Sequence, residues 1–233
     1  MMLSHKLRTP FVISVEGIIS AGKTSLIEGV LVPLWTSQGL RVRVIEEPVG
    51  KWKDILPIFY ENPERWGYHF QSKAYLDRVV ESKRMWDLHK DDTDIFILDR
   101  SIFSDPQFMK VNRDLGNVCE MEMRHYLEWW NLWNEVMPFT PNLFIYLNIS
   151  VEESMIRIAN RARNGESRVT SEYQTLLKKY HDEMFSLWVN ANGKCITVYQ
   201  IDSSIDYKND ESIKRMVAKD ILNYINTNIN NFT

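Results

Sequence analysis

Two glycines five residues apart, followed at once by a lysine and a threonine, are a pattern that can do chemistry on phosphate. The run is Gly17-Ile-Ile-Ser20-Ala21-Gly22-Lys23-Thr24, which fits G-x-x-x-x-G-K-S/T. The glycines let the backbone curl tightly, so successive N–H groups and the start of the following helix point at one anion. Lys23 adds a point charge for the outer phosphates, and the Thr24 hydroxyl can hold Mg²⁺. Gly17, Ser20, Ala21, Gly22, Lys23, Thr24 and Ser25 are therefore the candidate set for a nucleoside triphosphate. A glycine-rich turn without a ligand is the bland alternative, and it holds only if nothing downstream completes a nucleotide site.

The elements that must position such a loop are legible as short β-type runs: Phe11–Glu16, Val42–Glu46, Ile95–Asp99, Leu143–Asn148 and Cys195–Ile201. They alternate with longer helical patterns, which predicts an α/β fold with a five-stranded parallel sheet surrounded by helices. Ligands of open α/β sheets bind beyond the carboxyl ends of the strands. The first run ends in the phosphate loop. The second leads into Glu46-Glu47-Pro48, where the proline keeps Glu47 extended and aimed outward. The third ends in Asp99-Arg100. A base, a cation and a metal-binding carboxylate around a triphosphate are the parts of phosphoryl transfer to a hydroxyl. Taken singly, each also reads as an ordinary strand-end acid or a local ion pair.

Two further groups lie on predicted helices. Over Pro63–His89, Gln71, Ala74 or Tyr75, and Arg78 share one face, with Phe70 at its border. An amide, a guanidinium and an aromatic on one stripe can read a nucleobase; a solvated face of a mixed amphipathic helix is the competing reading. Arg157, Arg161 and Arg163 approach a helix break near Gly165, as in a lid of about residues 160–170 that closes on phosphates. The helix Met121–Met137 carries Tyr126, Trp129, Trp130 and Trp133; core packing is the default for such residues, and aromatic surface in excess of it would mark a subunit interface.

Composition sets the outer bounds. The chain has 233 residues, 44% of them hydrophobic and 25% charged, enough for one sizeable core and too ordinary for disorder. With no repeat or Pro/Gly-rich linker, residues 1–233 read as a single domain whose polar end, Asn226–Thr233, frays. A net charge of −3 and a pI near 6.0 give no basic surface for nucleic acid. No apolar run reaches membrane-spanning length. Cys119 and Cys195 have no metal-like spacing and suit a reducing compartment, and the scattered histidines have no metal-ligand spacing either. The expectation is a cytoplasmic protein, or a mitochondrial one if the chain is a processed product.

Taken together, the motifs resemble the deoxyribonucleoside kinase family, near the deoxycytidine and deoxyguanosine kinases. The resemblance runs through the phosphate loop, Glu47-Pro-Val-x-Lys-Trp52, Tyr60, Asn62-Pro-Glu-Arg-Trp66, Phe70-Gln71, Asp99-Arg-Ser-Ile-Phe-Ser-Asp105 and Arg161-Ala-Arg163-Asn-x-Glu166. It implies a P-loop kinase fold and ATP-dependent phosphorylation of a deoxyribonucleoside 5′-hydroxyl, a nucleotide-salvage reaction, usually by a homodimer. By position it implies Glu47 as the base with Arg100 beside it, and Lys23, Arg157, Arg161 and Arg163 as phosphate ligands. Thr24 and Asp99 are implied as magnesium partners, and Tyr60 with Glu166 as holders of the sugar 3′-hydroxyl. Trp52 and Phe70 resemble the aromatics that pack on the base, and Gln71 the amide that reads it. The loop from Asp202 to Tyr207 is implied near the donor base.

Two departures stand out. Asp99 replaces the glutamate usual in the animal enzymes and is closer to bacterial deoxyadenosine/deoxyguanosine kinases. Met109 stands where an aromatic often walls the base. Arg78 and Asp105 match the charged pair of the deoxycytidine/deoxyguanosine branch, and such a pair would crowd thymine's methyl group. Deoxycytidine or a purine deoxynucleoside is thus expected to beat thymidine. Among alternatives, a nucleoside monophosphate kinase would need a cation where Glu47 stands. A GTP switch protein would need an Asn-Lys-x-Asp segment, which is absent from the sequence. A catalytically silent subunit of a kinase heterodimer remains, and product formation by the purified chain separates it.

Overall fold

The computed structural model describes residues 9–161, 166–187, 197–203 and 210–228. Strands β1 (Phe11–Glu16), β2 (Val42–Ile45), β3 (Ile95–Asp99), β4 (Leu143–Asn148) and β5 (Val198–Asp202) form one sheet in the order β2-β3-β1-β4-β5. Every neighbouring pair is parallel. The three central strands are apolar and buried along nearly their whole length because helices cover both faces. β2, at an edge, is half-buried and one residue shorter than its sequence run; Glu46 already faces solvent. β5 ends at Asp202 rather than Ile201, while Cys195 lies outside the described residues.

The helices follow in chain order: α1 (Lys23–Leu26), α2 (Val32–Ser37), α3 (Ile55–Glu61), α4 (Pro63–His89), α5 (Asp105–Asp114), α6 (Glu120–Val136), α7 (Val151–Arg161), α8 (Ser171–Leu187) and α9 (Glu211–Asn228). A π-wound turn, Ile27–Leu31, joins α1 to α2 just before Pro33, which has no N–H to continue the α-helical ladder. Asn62 caps α4, its side chain accepting the Arg65 N–H at 3.1 Å, with Pro63 in the first turn. α6 starts one residue earlier than its apolar pattern because Glu122 reaches back to the Cys119 N–H at 2.8 Å.

The chain end departs from expectation. α9 continues through Asn228 because Ile221 and Ile225 are buried against the core and hold its last turns, so Asn226–Asn228 are helical. The core itself is built from the strands, the segment after the phosphate loop, and α8 and α9. Trp35, fully buried, donates its indole N–H to the Ala218 carbonyl at 3.1 Å and so ties α2 to α9. All five strands thereby present their carboxyl ends along one edge, where the phosphate loop and Asp99-Arg100 sit.

Candidate active site

β1 runs straight into the phosphate loop. Gly17 has φ +151°, and a Cβ there would lie 2.9 Å from both the Leu147 carbonyl oxygen and the Ala21 Cβ. One of those neighbours is strand backbone, so nothing can yield. Gly17→Ala should therefore lose roughly 1–3 kcal/mol of stability, read by denaturant unfolding, and weaken triphosphate binding. Gly22 (φ 99°) closes the loop and opens α1. Ser20 sits in the left-handed region at φ 60°, with its hydroxyl oxygen buried and lacking a hydrogen-bond partner.

The loop is pinned from behind. Gln174 of α8, fully buried, accepts the Ile19 N–H at 3.4 Å and donates to the Ile19 carbonyl at 3.0 Å. Ser154 of α7 donates to the same carbonyl at 2.8 Å. Arg157 donates to Glu153 at 2.9 Å, to the Ser203 carbonyl at 2.8 Å and, at 3.4 Å, to the Ala21 carbonyl. It thus clamps the loop to the end of β5. Ser25 is half-buried on α1, and Asp202 is exposed at the end of β5, in register with Asn148.

At the end of β3, the Thr24 hydroxyl donates to Asp99 Oδ2 at 2.7 Å, and Asp99 Oδ1 is buried without a partner. Arg100 adopts φ 68°, a left-handed conformation that costs a non-glycine residue about 1–3 kcal/mol. Its N–H is bonded to the Val15 carbonyl at 3.1 Å. Its guanidinium lies over the Phe108 ring at 4.7 Å, with Nε 3.5 Å from Glu47 Oε1.

Glu47 is therefore in the cleft. Arg78 Nη2 donates to Glu47 Oε1 at 2.5 Å, while Arg78 Nη1 donates to Asp105, whose other oxygen accepts the Tyr126 hydroxyl at 2.7 Å. Burial alone would raise the Glu47 pKa, but Arg78, Arg100 and Lys23 outweigh it and hold the carboxyl at about 2. Glu47 is thus ionised, with its carboxylate facing the cleft. The Lys23 pKa is lowered to about 8, first by burial and then by Arg100, with Asp99, Glu47 and Glu16 opposing. An incoming phosphate restores its full charge.

The cleft from Ser20 and Lys23 past Glu47 to the aromatic end holds about 640 Å³, part of it open to solvent. Phe59 stacks on Phe70 with centroids 4.8 Å apart, and Trp52 meets Phe70 edge-on at 5.7 Å. Trp52 is fixed by its N–H to Asp77 at 2.9 Å and by the Arg78 guanidinium over its ring at 5.0 Å. Gln71 and Arg78 are buried here rather than solvated, because α4 turns that face inward past small Ala74. Gln71 Nε2 has no hydrogen-bond partner. Tyr60 lines the opposite end with Glu166 and Arg161, which form a bidentate pair: Arg161 Nε donates to Oε2 at 3.0 Å and Nη2 to Oε1 at 2.6 Å.

Of the residues singled out in the sequence, Met109 does not line the cleft. It is fully buried in a cluster with Tyr75, Val79 and Tyr126, and the preceding residue, Phe108, supplies the wall. Asp105 reaches the cleft only through Arg78. Arg163 lies outside the described residues, as does the loop from 204 to 207. The sequence reading gave no role to Phe59, Tyr173, Gln174 or Glu16. Phe59 could have been found, since it directly precedes Tyr60 on a short helix. Tyr173 and Gln174 come from α8, where no local pattern marks them.

Known proteins resemble this chain over most of its length. The sequence pattern of the family described as deoxynucleoside kinase matches residues 13–227. A probable deoxycytidine kinase of fowlpox virus is 31% identical over 225 residues, covering 94% of this chain and 90% of its own length. Deoxycytidine kinase 2 of Gallus gallus is 27% identical, covering 91% and 89%. The solved deoxyadenosine kinase of M. mycoides with bound dATP has the same fold, with a TM-score of 0.71 at 23% identity, over 92% of this chain and 98% of its own. With the family pattern spanning nearly all of the described residues and an ionised carboxylate facing a phosphate loop across one cleft, the chain belongs to the deoxynucleoside kinase family.

Proposed function

We propose that this chain transfers the γ-phosphoryl group of ATP to the 5′-hydroxyl of a deoxyribonucleoside, as one catalytic domain serving nucleotide salvage. One observation carries the reading: among the described residues, four of the buried polar atoms without a hydrogen-bond partner lie where parts of the two substrates would bind. They are Ser20 Oγ at the phosphate loop, Asp99 Oδ1 beside Thr24, Arg100 Nη1 next to Glu47, and Gln71 Nε2 at the aromatic end. Buried polar groups are costly unless paired, so such a set points to ligand contacts.

In this mechanism Glu47 accepts the hydroxyl proton, and Arg78 and Arg100 hold its carboxylate in place. The loop amides and Lys23 bind the outer phosphates, and Arg161 neutralises charge on the transferring group, with Arg163 in the same role from the lid. Tyr60 and Glu166 hold the sugar, and Trp52, Phe70 and Gln71 hold the base. Thr24 and Asp99 would hold Mg²⁺: a hydroxyl beside a carboxylate with one free oxygen suits a hard cation bound mainly through phosphate. The ion would supply charge neutralisation at the phosphates.

Deoxycytidine or a purine deoxynucleoside should be preferred over thymidine, because the Arg78–Asp105 pair and the free Gln71 amide suit amino and keto groups and leave little room for a methyl. A kcat/KM series over the four deoxynucleosides with ATP tests this, and no product from the purified chain would end the kinase reading altogether. Thymidine ranking first would remove only the base preference. Glu47 at the acceptor end would repel a monophosphate, which disfavours a nucleotide acceptor.

A homodimer fits an apolar face on α4 and α6. Leu76 and Val80 on one helix, and Trp129, Leu132 and Val136 on the other, are each about half exposed. Leu132→Asp should convert the species seen by sedimentation from dimer to monomer. Among the described residues no helix is long and apolar enough to cross a membrane. The exposed free thiol of Cys119 suits a reducing, cytoplasmic setting.

A further inference from the structure

We propose that Glu16, the last residue of β1, is a positioning residue that acts through Arg100. Its carboxylate is fully buried and does not line the cleft, so it cannot touch a substrate. It is instead the hub of a network that crosses from β1 to the segment after β3. Oε1 accepts the Ser14 hydroxyl at 2.6 Å, the Ser101 N–H at 3.0 Å and the Ser101 hydroxyl at 2.9 Å. Oε2 accepts the Ser104 hydroxyl at 2.6 Å. Each of these groups can donate to it, so both carboxylate oxygens are engaged.

The position of those donors gives the network its purpose. Ser101 follows Arg100 directly, and Arg100 is held in a left-handed conformation that an arginine does not choose by itself. The bond from the Val15 carbonyl to the Arg100 N–H and the bond from Glu16 to the Ser101 N–H fix the peptide on either side of it. With the turn so fixed, the guanidinium comes to rest over Phe108 and against Glu47. Strain of this kind persists where the surroundings over-determine it. Here the Val15 carbonyl holds one side of the turn and the Glu16 carboxylate the other.

The inference rests on the role given above to Arg100, and the test separates the two. Glu16→Ala should lower kcat about 10²-fold by letting the turn relax. Glu16→Gln should recover at least about tenfold of that loss. Its amide oxygen can still accept the Ser101 N–H, and its NH₂ can donate to Ser104, whose hydroxyl already has the Ser101 carbonyl at 3.2 Å as an alternative acceptor. In an Arg100→Ala background, Glu16→Ala should cost less than about threefold more, because its effect passes through the missing side chain. Three results would each overturn the proposal: an alanine variant within about threefold of the parent, a glutamine variant as damaged as the alanine one, or an equal loss in both backgrounds. If the alanine variant does not fold, Ser104→Ala takes its place in the same cycle, with an expected loss of about fivefold beside intact Arg100 and none without it; equal losses overturn it there too. Arg100→Ala at the parent's kcat would instead remove Arg100 from the site, and the reading above with it.

Discussion

Turnover is expected to fall about 10³-fold when Arg161 is replaced by alanine, the scale set by other arginines that stabilise a transferring phosphoryl group. The transition state is loose and carries its charge on the peripheral oxygens, so it gains more from a nearby cation than from a stronger nucleophile. Arg161 stands at the end of α7, lines the cleft, and is paired with Glu166 while more than a third of its side chain is exposed. Its partner Glu166 is buried, so the alanine variant also strands a carboxylate. The expected signature is thus a large loss of kcat accompanied by a modest fall in melting temperature. Arg161→Lys should recover only part of the rate, because an ammonium restores charge without the planar fork. A loss below about tenfold in the alanine variant would take Arg161 out of the transfer step.

Glu47→Gln should lower kcat by about 10²-fold or more, the usual contribution of a positioned general base. The amide keeps the volume and can still accept from Arg78, so nucleoside binding should suffer less than turnover. The parent enzyme offers an independent check. Because the neighbouring guanidiniums keep the Glu47 carboxyl at about 2, the group is deprotonated at any pH where the protein is assayed. Its protonated, inactive form would accumulate only as pH falls toward that value. The profile of kcat/KM for the nucleoside should therefore show no acid limb from this residue down to about pH 5. A limb near pH 6 would mean that a different base, or a Glu47 freed from Arg78, takes the proton.

How much of this was legible in the sequence depends on whether a residue's role is set locally. The phosphate loop and the central strands are, since spacing and apolar runs dictate them, and β1, β3 and β4 fall where their patterns end. The α4 face was legible as a stripe. Its burial was not, because solvated and buried polar stripes have the same period and only the packing of α4 over the strand ends decides between them. One residue of helical rotation separates Phe108, which walls the cleft, from Met109, which is buried behind it. Glu16 looked like any acid at a strand end, because its partners sit some 85 positions further along the chain. Arg157 read as a phosphate ligand from its charge, yet two of its bonds go to backbone carbonyls, which no sequence pattern displays.

The forked guanidinium of Arg78 joins two jobs that enzyme engineers usually try to treat apart. One nitrogen faces Asp105 in the nucleobase region and the other grips Glu47. Redesigning the pocket for a new analogue at position 78 or 105 would also change the proton affinity and the placement of Glu47, the base proposed above. Libraries selected for altered substrate choice at these positions will therefore vary in turnover as well as in base preference, and compensating changes near Glu47 are the place to restore it.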